Sequence, residues 1–444
     1  MNLLGLTEKL LNEAVRIAEG GADVRGSTGR GMEVIFEQNK LKAITASQSS
    51  VLDLRVINRG RLGAMATNKM EEVGLADVAK EAVDVSRFGQ RIKFNLPRRP
   101  AGTLPTLKTY DAKVAKMSET KLVSLGKRLI GEILEREPAM MVNYLGFAVS
   151  EGESFFANSR GVARRERGTS NSFWVEISKI TEEDFFQIGL DKTSVEANIN
   201  YKEVVEKALE MAVWGKHVAK LRSGRMRVVF TPETARGLIG YFVSAANGKL
   251  VNEGVSRFTG KLGQQMFDPR LTLGEDPRID WGSSSCVLDD EGVPTRPKSI
   301  IECGKVANFY YDLNQAAKAG RESTGNGFRE PYFQADPGVT NVIVTGGEEV
   351  FQKLLKGENE CLVVHQVLGA GQSNPYNGDF QLGVSLGYLA RNGEIVGRVK
   401  DVSIAGNVFD LFRDSLVWIS KEREWEGAYY LPYICLDKVS VTSS

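Results

Sequence analysis

The sequence predicts an α+β protein: a mixed α/β N-terminal domain with helices on an antiparallel sheet, then a sheet-rich C-terminal domain. Three observations lead there. From Phe380 to Tyr388 the even positions are Phe380, Leu382, Val384, Leu386 and Tyr388, and between them stand Gln381, Gly383, Ser385 and Gly387. Side chains on a strand alternate faces, so this is a strand with one bulky face and one thin face. Asn392-Gly393 follows, and because both residue types tolerate positive φ it marks a hairpin whose return strand is 395–399. The first half, in contrast, interleaves amphipathic helical segments with strand-like runs joined at turn residues.

The chain has 444 residues, which suggests two or three domains and is ample for a sizeable core. We place the division at 1–222 and 223–444, in the stretch 221–224 ahead of a strand at 226–230. In order, a helix covers 7–19, with Leu10, Leu11, Ala14, Val15, Ile17 and Ala18 on its buried side. The run 25–31 (RGSTGRG) is glycine-rich and basic, but it lacks the G-K-[ST] ending of a phosphate loop and reads as a turn into a strand at 32–37. Strands at 50–58 and 61–66 meet at Arg59-Gly60, and a helix follows over 73–86. Residues 96–109 hold three of the 13 prolines and read as a crossing loop. A long helix spans 119–136 between a Ser118 N-cap and Pro138. Strands at 140–150, 153–158, 161–168 and 171–178 come next; Arg164, Arg165 and Arg167 read as a solvated strand edge that discourages edge-to-edge pairing.

The segment 201–218 is an amphipathic helix with His217 at its end, where a cation helps satisfy the last carbonyls. Thr231-Pro232-Glu233 then starts another helix, ARGLIGYFVSAAN: an N-cap threonine, proline at the first position and an acid in the first turn. Asp289, Asp290 and Glu291 follow a Gly/Ser run. They lack the alternating ligands of a calcium loop and read as a turn before a strand at 299–302. Near the end, Gly406-Asn407 breaks the chain, and Asn407 caps a helix whose buried stripe is Val408, Phe409, Leu411, Phe412 and Leu416.

Composition narrows the function. Lys plus Arg is 57 against 56 Asp plus Glu, a net charge of +1, which argues against a protein dominated by phosphate-backbone binding. The four cysteines, Cys286, Cys303, Cys361 and Cys435, include no C-x-x-C pair and are too scattered for a disulfide scaffold. The first residues, MNLLGLTEKLLNEAV, form an amphipathic helix without the parts of a signal peptide, and no apolar run reaches membrane-spanning length, so a cytoplasmic location is expected. Gly383-Val384-Ser385-Leu386-Gly387 is formally G-x-S-x-G. A nucleophile elbow, however, needs a strand-to-helix turn, and in α/β-hydrolases the histidine follows the serine. Here a hairpin follows, and both histidines, His217 and His365, precede Ser385.

Several dispersed motifs, in order, carry a family resemblance. They are Asp289-Asp290-Glu291-Gly292-Val293-Pro294-Thr295-Arg296, Ser323-Thr324-Gly325-Asn326-Gly327, and the run from Gly369-Ala370-Gly371 through Asn374-Pro375-Tyr376-Asn377-Gly378-Asp379-Phe380. Ala390-Arg391-Asn392-Gly393-Glu394 and Ile404-Ala405-Gly406-Asn407 complete the set. Together they resemble the TldD/PmbA family, the "modulator of DNA gyrase" proteins, most strongly over about 225–407. In the TldD branch the helix after the domain boundary carries H-E-x-x-x-H, whose histidines hold zinc and whose glutamate is the general base; a cysteine near the C-terminus completes the set. Aligned on Arg257-Phe258-Thr259-Gly260-Lys261-Leu262-Gly263, those positions fall on or beside Ile239, Gly240 and Ser244. Cys435 sits in an apolar run displaced from the family position and reads as core.

The resemblance therefore points to the PmbA (TldE) branch. It implies no catalytic residue, metal or cofactor in this chain, zinc in a TldD-type partner, a heterodimer with that partner (or a homodimer when alone), and an unfolded peptide cleaved in a closed channel. The family's roles are peptide maturation and antitoxin degradation. Carried over residue by residue are Asn326, Gly378, Asp379, Gly383, Gly387, Gly406 and Asn407, as positions of close packing or of contact with an extended peptide. Two alternatives stand beside this: a hydrolase in its own right using Ser385 or an unrecognised site, and a non-proteolytic binding module acting on a nucleic-acid enzyme.

Overall fold

The computed structural model describes residues 2–180, 182, 184–329, 334–369, 374 and 376–443. In the N-terminal half the order is α1 (Leu3–Ile17), β1 (Gly21–Glu37), β2 (Lys40–Asn58), β3 (Arg61–Thr67) and α2 (Leu75–Ser86). There follow α3 (Ala112–Ala115), α4 (Glu119–Arg136), β4 (Met141–Asn158), β5 (Ala163–Ile180), β6 (Phe185–Ser194) and α5 (Tyr201–Trp214). The strands form one six-stranded sheet in the order β3-β2-β1-β4-β5-β6, every neighbouring pair antiparallel. Leu6, Leu10 and Ala14 of α1 pack with Val24, Leu52 and Leu54. Leu129 and Ile133 of α4 and Val205 of α5 pack with Phe36, Phe147 and Phe173.

The expected helix at 119–136 is present with those bounds, although the Ser118 side chain makes no capping bond. Elsewhere the strands are longer than local turn signals suggest. The run 25–31 is no turn: it lies inside β1, with Arg25 opposite Asp53 on one side and Phe156 on the other. A side chain at Gly26 would meet Thr7 and Leu3 of α1, so its glycine admits a helix rather than a bend. The four strands expected between 140 and 178 are two, β4 and β5, continuous through Gly152 and Gly168. Sequence reasoning missed β6 altogether. On the part of β5 that β6 does not cover, Arg165 pairs with Glu153 at 2.8 Å, and Arg167 lies 3.8 Å over the Tyr110 ring.

The C-terminal half opens with β7 (Gly224–Phe230) and α6 (Pro232–Ala245). It is built on an eleven-stranded sheet, whose long strand Tyr429–Ser443 runs beside β7 and the strands Val402–Asn407 and Leu416–Glu426. The predicted hairpin forms, with Asn392 at φ 48° and Gly393 at φ 83°, joining Asp379–Arg391 to Glu394–Arg398. Its first strand is not uniform, however. Val384 lies opposite Val367 and Leu386 opposite Gln366, so Ser385 is left over at a bulge. A one-residue insertion flips the faces. Phe380, Leu382 and Val384 enter the C-terminal core, whereas Leu386 and Tyr388 enter the core of the N-terminal half. The Tyr388 hydroxyl donates to the Met211 carbonyl of α5 at 2.8 Å.

Two further expectations change. Helix α5 ends at Trp214, and exposed His217 makes no capping bond among the described residues; its carbonyl instead accepts the Arg398 N–H at 2.9 Å. The acidic triplet does form a turn, with the Gly292 N–H donating to the Asp289 carbonyl at 3.0 Å, but it also ties the halves together. Buried Arg55 of β2 donates to Asp23 at 2.7 Å and to Glu291 at 2.6 Å. Arg329 pairs with the same Asp23, and Arg25 reaches Asp290 at 3.2 Å.

Candidate functional site

Helix α6 lies where the two halves meet. Pro232 occupies its first turn, and the Thr231 carbonyl accepts the Ala235 N–H at 2.8 Å. The Thr234 hydroxyl donates to the Val364 carbonyl at 3.0 Å, tying the helix start to the strand Glu360–Leu368. That strand is parallel to β7, with Phe230 opposite Val364. Ala235, Leu238, Ile239, Phe242 and Val243 fill the C-terminal core. The opposite side presents Glu233, Arg236, Gly237, Gly240, Tyr241 and Ser244 as an open stripe, because residues three and four apart share a helix face. Among the described residues nothing lies within 4 Å of where a side chain at Gly237 or Gly240 would project.

The positions that the resemblance equates with zinc ligands therefore have clear placements. Ile239 is fully buried, while Gly240 and Ser244 lie on the open stripe. Isoleucine and glycine offer no side-chain donor, and a serine hydroxyl is not a usual zinc ligand. Among the described residues no group of three or more His, Cys, Asp and Glu side chains could hold a metal ion. Cys435 is buried between strand neighbours Val229 and Trp418, and that burial pushes its thiol up. These residues do not fit a zinc site.

The start of α6 opens onto a cavity of about 1180 Å³ between the halves. Its walls come from the end of β6, one face of α5, the strand carrying Val363 and His365, and the segment Glu424 to Glu426. Glu424 is the satisfied carboxylate: Lys192 lies at 3.3 Å, Lys207 at 3.2 Å, and the Tyr433 hydroxyl donates at 2.8 Å. Burial opposes its ionisation, but the two lysines hold its pKa down to about 2. Glu426 shares Lys192 at 3.2 Å, and burial pushes it up. Glu233 is exposed to the cavity space yet enclosed by the cavity walls. That enclosure, with Glu426 nearby, raises its pKa to about 7, against one bond from Gln366 Nε2 at 3.4 Å. His365 is 8% exposed and lines the cavity. Burial and the Lys207 charge lower its pKa to about 3, so the imidazole is neutral.

Ser385 and His365 do not meet at one site. Ser385 lines a separate cavity of about 470 Å³ with Arg398 and Lys400, whereas His365 lines the large one. Asn326 has no exposed surface; it donates to Glu275 at 2.6 Å and to the Gly338 carbonyl at 2.7 Å, and accepts from Lys298 at 2.8 Å. Side chains at Gly378, Gly387 and Gly406 would strike Phe409, Val384 and Leu411 respectively. Among the described residues a side chain at Gly383 would have only Leu368 near it, at 3.9 Å. Asp379 is exposed and accepts from Asn407 Nδ2 at 2.8 Å, while Asn407 Oδ1 accepts the Asp410 N–H at 3.2 Å. Residues 370–373 and Pro375, within one of the resembling motifs, lie outside the described residues.

The groups that sequence reasoning missed are Asp191, Lys192, Lys207, Glu424 and Glu426. Lys192 and Glu426 are 234 positions apart, and no local spacing announces such a pair. The one local hint is the charge-dense run KEREWEG at 421–427, with Trp425 between two glutamates.

Comparison with known proteins adds the following. The PmbA/TldA metallopeptidase C-terminal domain matches residues 223–443, and domain 1 of the same group matches residues 22–86. The metalloprotease PmbA of Escherichia coli O157:H7 is 25% identical over 425 residues, 92% of this chain and 90% of that protein. A metalloprotease PmbA homolog of Haemophilus influenzae is 23% identical over 464 residues, 100% of this chain and 98% of its own length. The crystal structure of TldE from Thermococcus kodakarensis superposes with a TM-score of 0.91 at 22% identity, covering 99% of this chain and 100% of that one.

Proposed function

The chain belongs to the PmbA/TldD metallopeptidase family, and from that premise we propose that it is the metal-free, TldE/PmbA-type subunit of a two-subunit protease. One observation carries this reading. Helix α6, which the resemblance equates with the family's zinc-binding helix, has one face open, yet Ile239, Gly240 and Ser244 supply no zinc donor set. In this reading a TldD-type partner brings the zinc and the hydrolytic chemistry. This chain contributes wall and floor to the channel in which an unfolded peptide is cleaved. Its share of the work is to hold an extended chain and to keep the cleavage site apart from bulk water. The bare stripe at Gly237 and Gly240 suits that role, since a backbone can approach where no side chain projects.

The test compares the chain alone with the chain mixed with an H-E-x-x-x-H relative from the same source. Zinc content and cleavage of a fluorogenic unfolded peptide are both read. Alone, the chain should hold less than about a tenth of an equivalent of zinc and cleave nothing; mixed, the two should co-elute and cleave. One tightly held zinc per chain, with cleavage by the chain alone, would overturn the assignment.

A further inference from the structure

The large cavity is strongly and unevenly charged. Among the described residues it is lined by eight carboxylates and two lysines, Lys192 and Lys207. Both lysines are already engaged with Glu424, and Lys192 also with Glu426. That leaves Glu233 with only the long bond from Gln366, and the Asp191 carboxylate with no hydrogen-bond or ion-pair partner among the described residues. Asp191 and Glu426 both act on Glu233 by charge repulsion, so the three share one neighbourhood.

A second feature is independent of the carboxylates. The His365 imidazole is more than nine-tenths buried, faces this cavity and takes no hydrogen bond among the described residues. Its neutral ring offers an acceptor nitrogen to whatever occupies the space. Aromatic side chains of Trp214, Phe351, Trp425 and Tyr433 complete the walls. Surplus carboxylates, a waiting acceptor and aromatic faces are the ingredients of a receptor for an organic cation.

We propose that this cavity binds a cationic group, an ammonium or guanidinium, with Glu233, Asp191 and Glu426 as counter-charges and the aromatic side chains as walls. The ammonium leaves Glu424 its two lysines and shares Glu426 with Lys192. It neutralises carboxylates that otherwise repel one another, so occupancy relieves an unfavourable charge in the empty cleft. In its identification of the cation with a lysine or arginine of an unfolded peptide, the inference rests on the channel-subunit reading and deepens it to a preference for basic segments. Binding is read on this chain alone and cleavage on the pair, so the two can fail separately.

The experiment titrates the full chain, without any partner, with three probes: a labelled unstructured peptide alternating lysine and glycine, the matching glutamate peptide, and spermine. The lysine peptide should bind and be released by salt, and the glutamate peptide should not bind. The Glu233→Gln, Asp191→Asn double variant should weaken lysine-peptide binding at least about tenfold. A Glu71→Gln, Glu81→Gln control on a distant surface should leave it unchanged. Glu233→Lys, checked for folding by thermal melting, should abolish binding of the lysine peptide. Equal binding of the lysine and glutamate peptides, or equal losses in the double variant and the control, would overturn the site. Tighter binding of spermine than of the lysine peptide would overturn the peptide assignment.

Discussion

At the residue scale, the sequence's polar groups acquire meaning only from their surroundings. Asp312 shows this well. One oxygen caps the helix Leu313–Lys318 by accepting the Gln315 N–H, while the other is buried with no partner among the described residues. Burial and the nearby Glu291 carboxylate raise its pKa from 3.8 to about 7. A carboxyl that binds its proton more tightly folded than unfolded lowers stability as pH rises between the two values. Asp312→Asn keeps the cap and removes the titration. The variant should exceed the parent by an amount on the order of 4 kcal/mol at pH 8, and the gain should vanish below pH 3.8. Urea denaturation at the two pH values checks this; an equal difference at both would refute it. Neither the pKa of Asp312 nor that of Glu233 was legible in sequence, because each is set first by burial and then by carboxylates on other elements.

At the scale of elements, local signals worked where the structure is local. Asn392-Gly393 made its hairpin, and Asn407 caps Val408–Asp414 as its spacing to Asp410 indicates. Asn407 does more than cap, since its Nδ2 donates to the Asn377 carbonyl and to Asp379, both at 2.8 Å. Asn407→Ala should therefore cost about 1–2 kcal/mol, and Asn407→Ser, which keeps a cap acceptor without the amide donor, should recover part of it. Denaturant midpoints distinguish the two; equal losses would mean that the cap contributes nothing. Local signals failed where long-range pairing overrides them. Gly-rich 25–31 looks like a turn until α1 is laid against it, and the bulge at Ser385 follows from the register with Glu360–Leu368, which no pattern within the strand contains.

At the scale of the whole molecule, that bulge joins the halves. It turns Leu386 and Tyr388 out of the C-terminal core and into the N-terminal one, where Tyr388 packs edge-on against Trp214 with ring centroids 5.5 Å apart. With the Arg55 and Arg329 ion pairs on Asp23 and Glu291, and with Lys192 and Lys207 on Glu424, it couples the two halves. The parent should accordingly unfold in one calorimetric transition. Tyr388→Ala, which empties a fully buried site, should lose about 3–5 kcal/mol and split the endotherm, whereas Tyr388→Phe should lose about 1 kcal/mol and keep one transition. Two transitions in the parent would show that the halves are uncoupled. The sequence by itself determined the α+β class, most helix positions, the hairpin and cap near its end, and the family, because these rest on periodicity and on residue types at fixed short spacings. Only the tertiary structure decided where the strands begin and end, that one strand serves two cores, and that carboxylates from β6, α6 and Glu424–Glu426 converge on one cavity. Such groups lie far apart in the chain and are brought together by the burial of apolar faces, so their mutual charge exists only once the chain has folded.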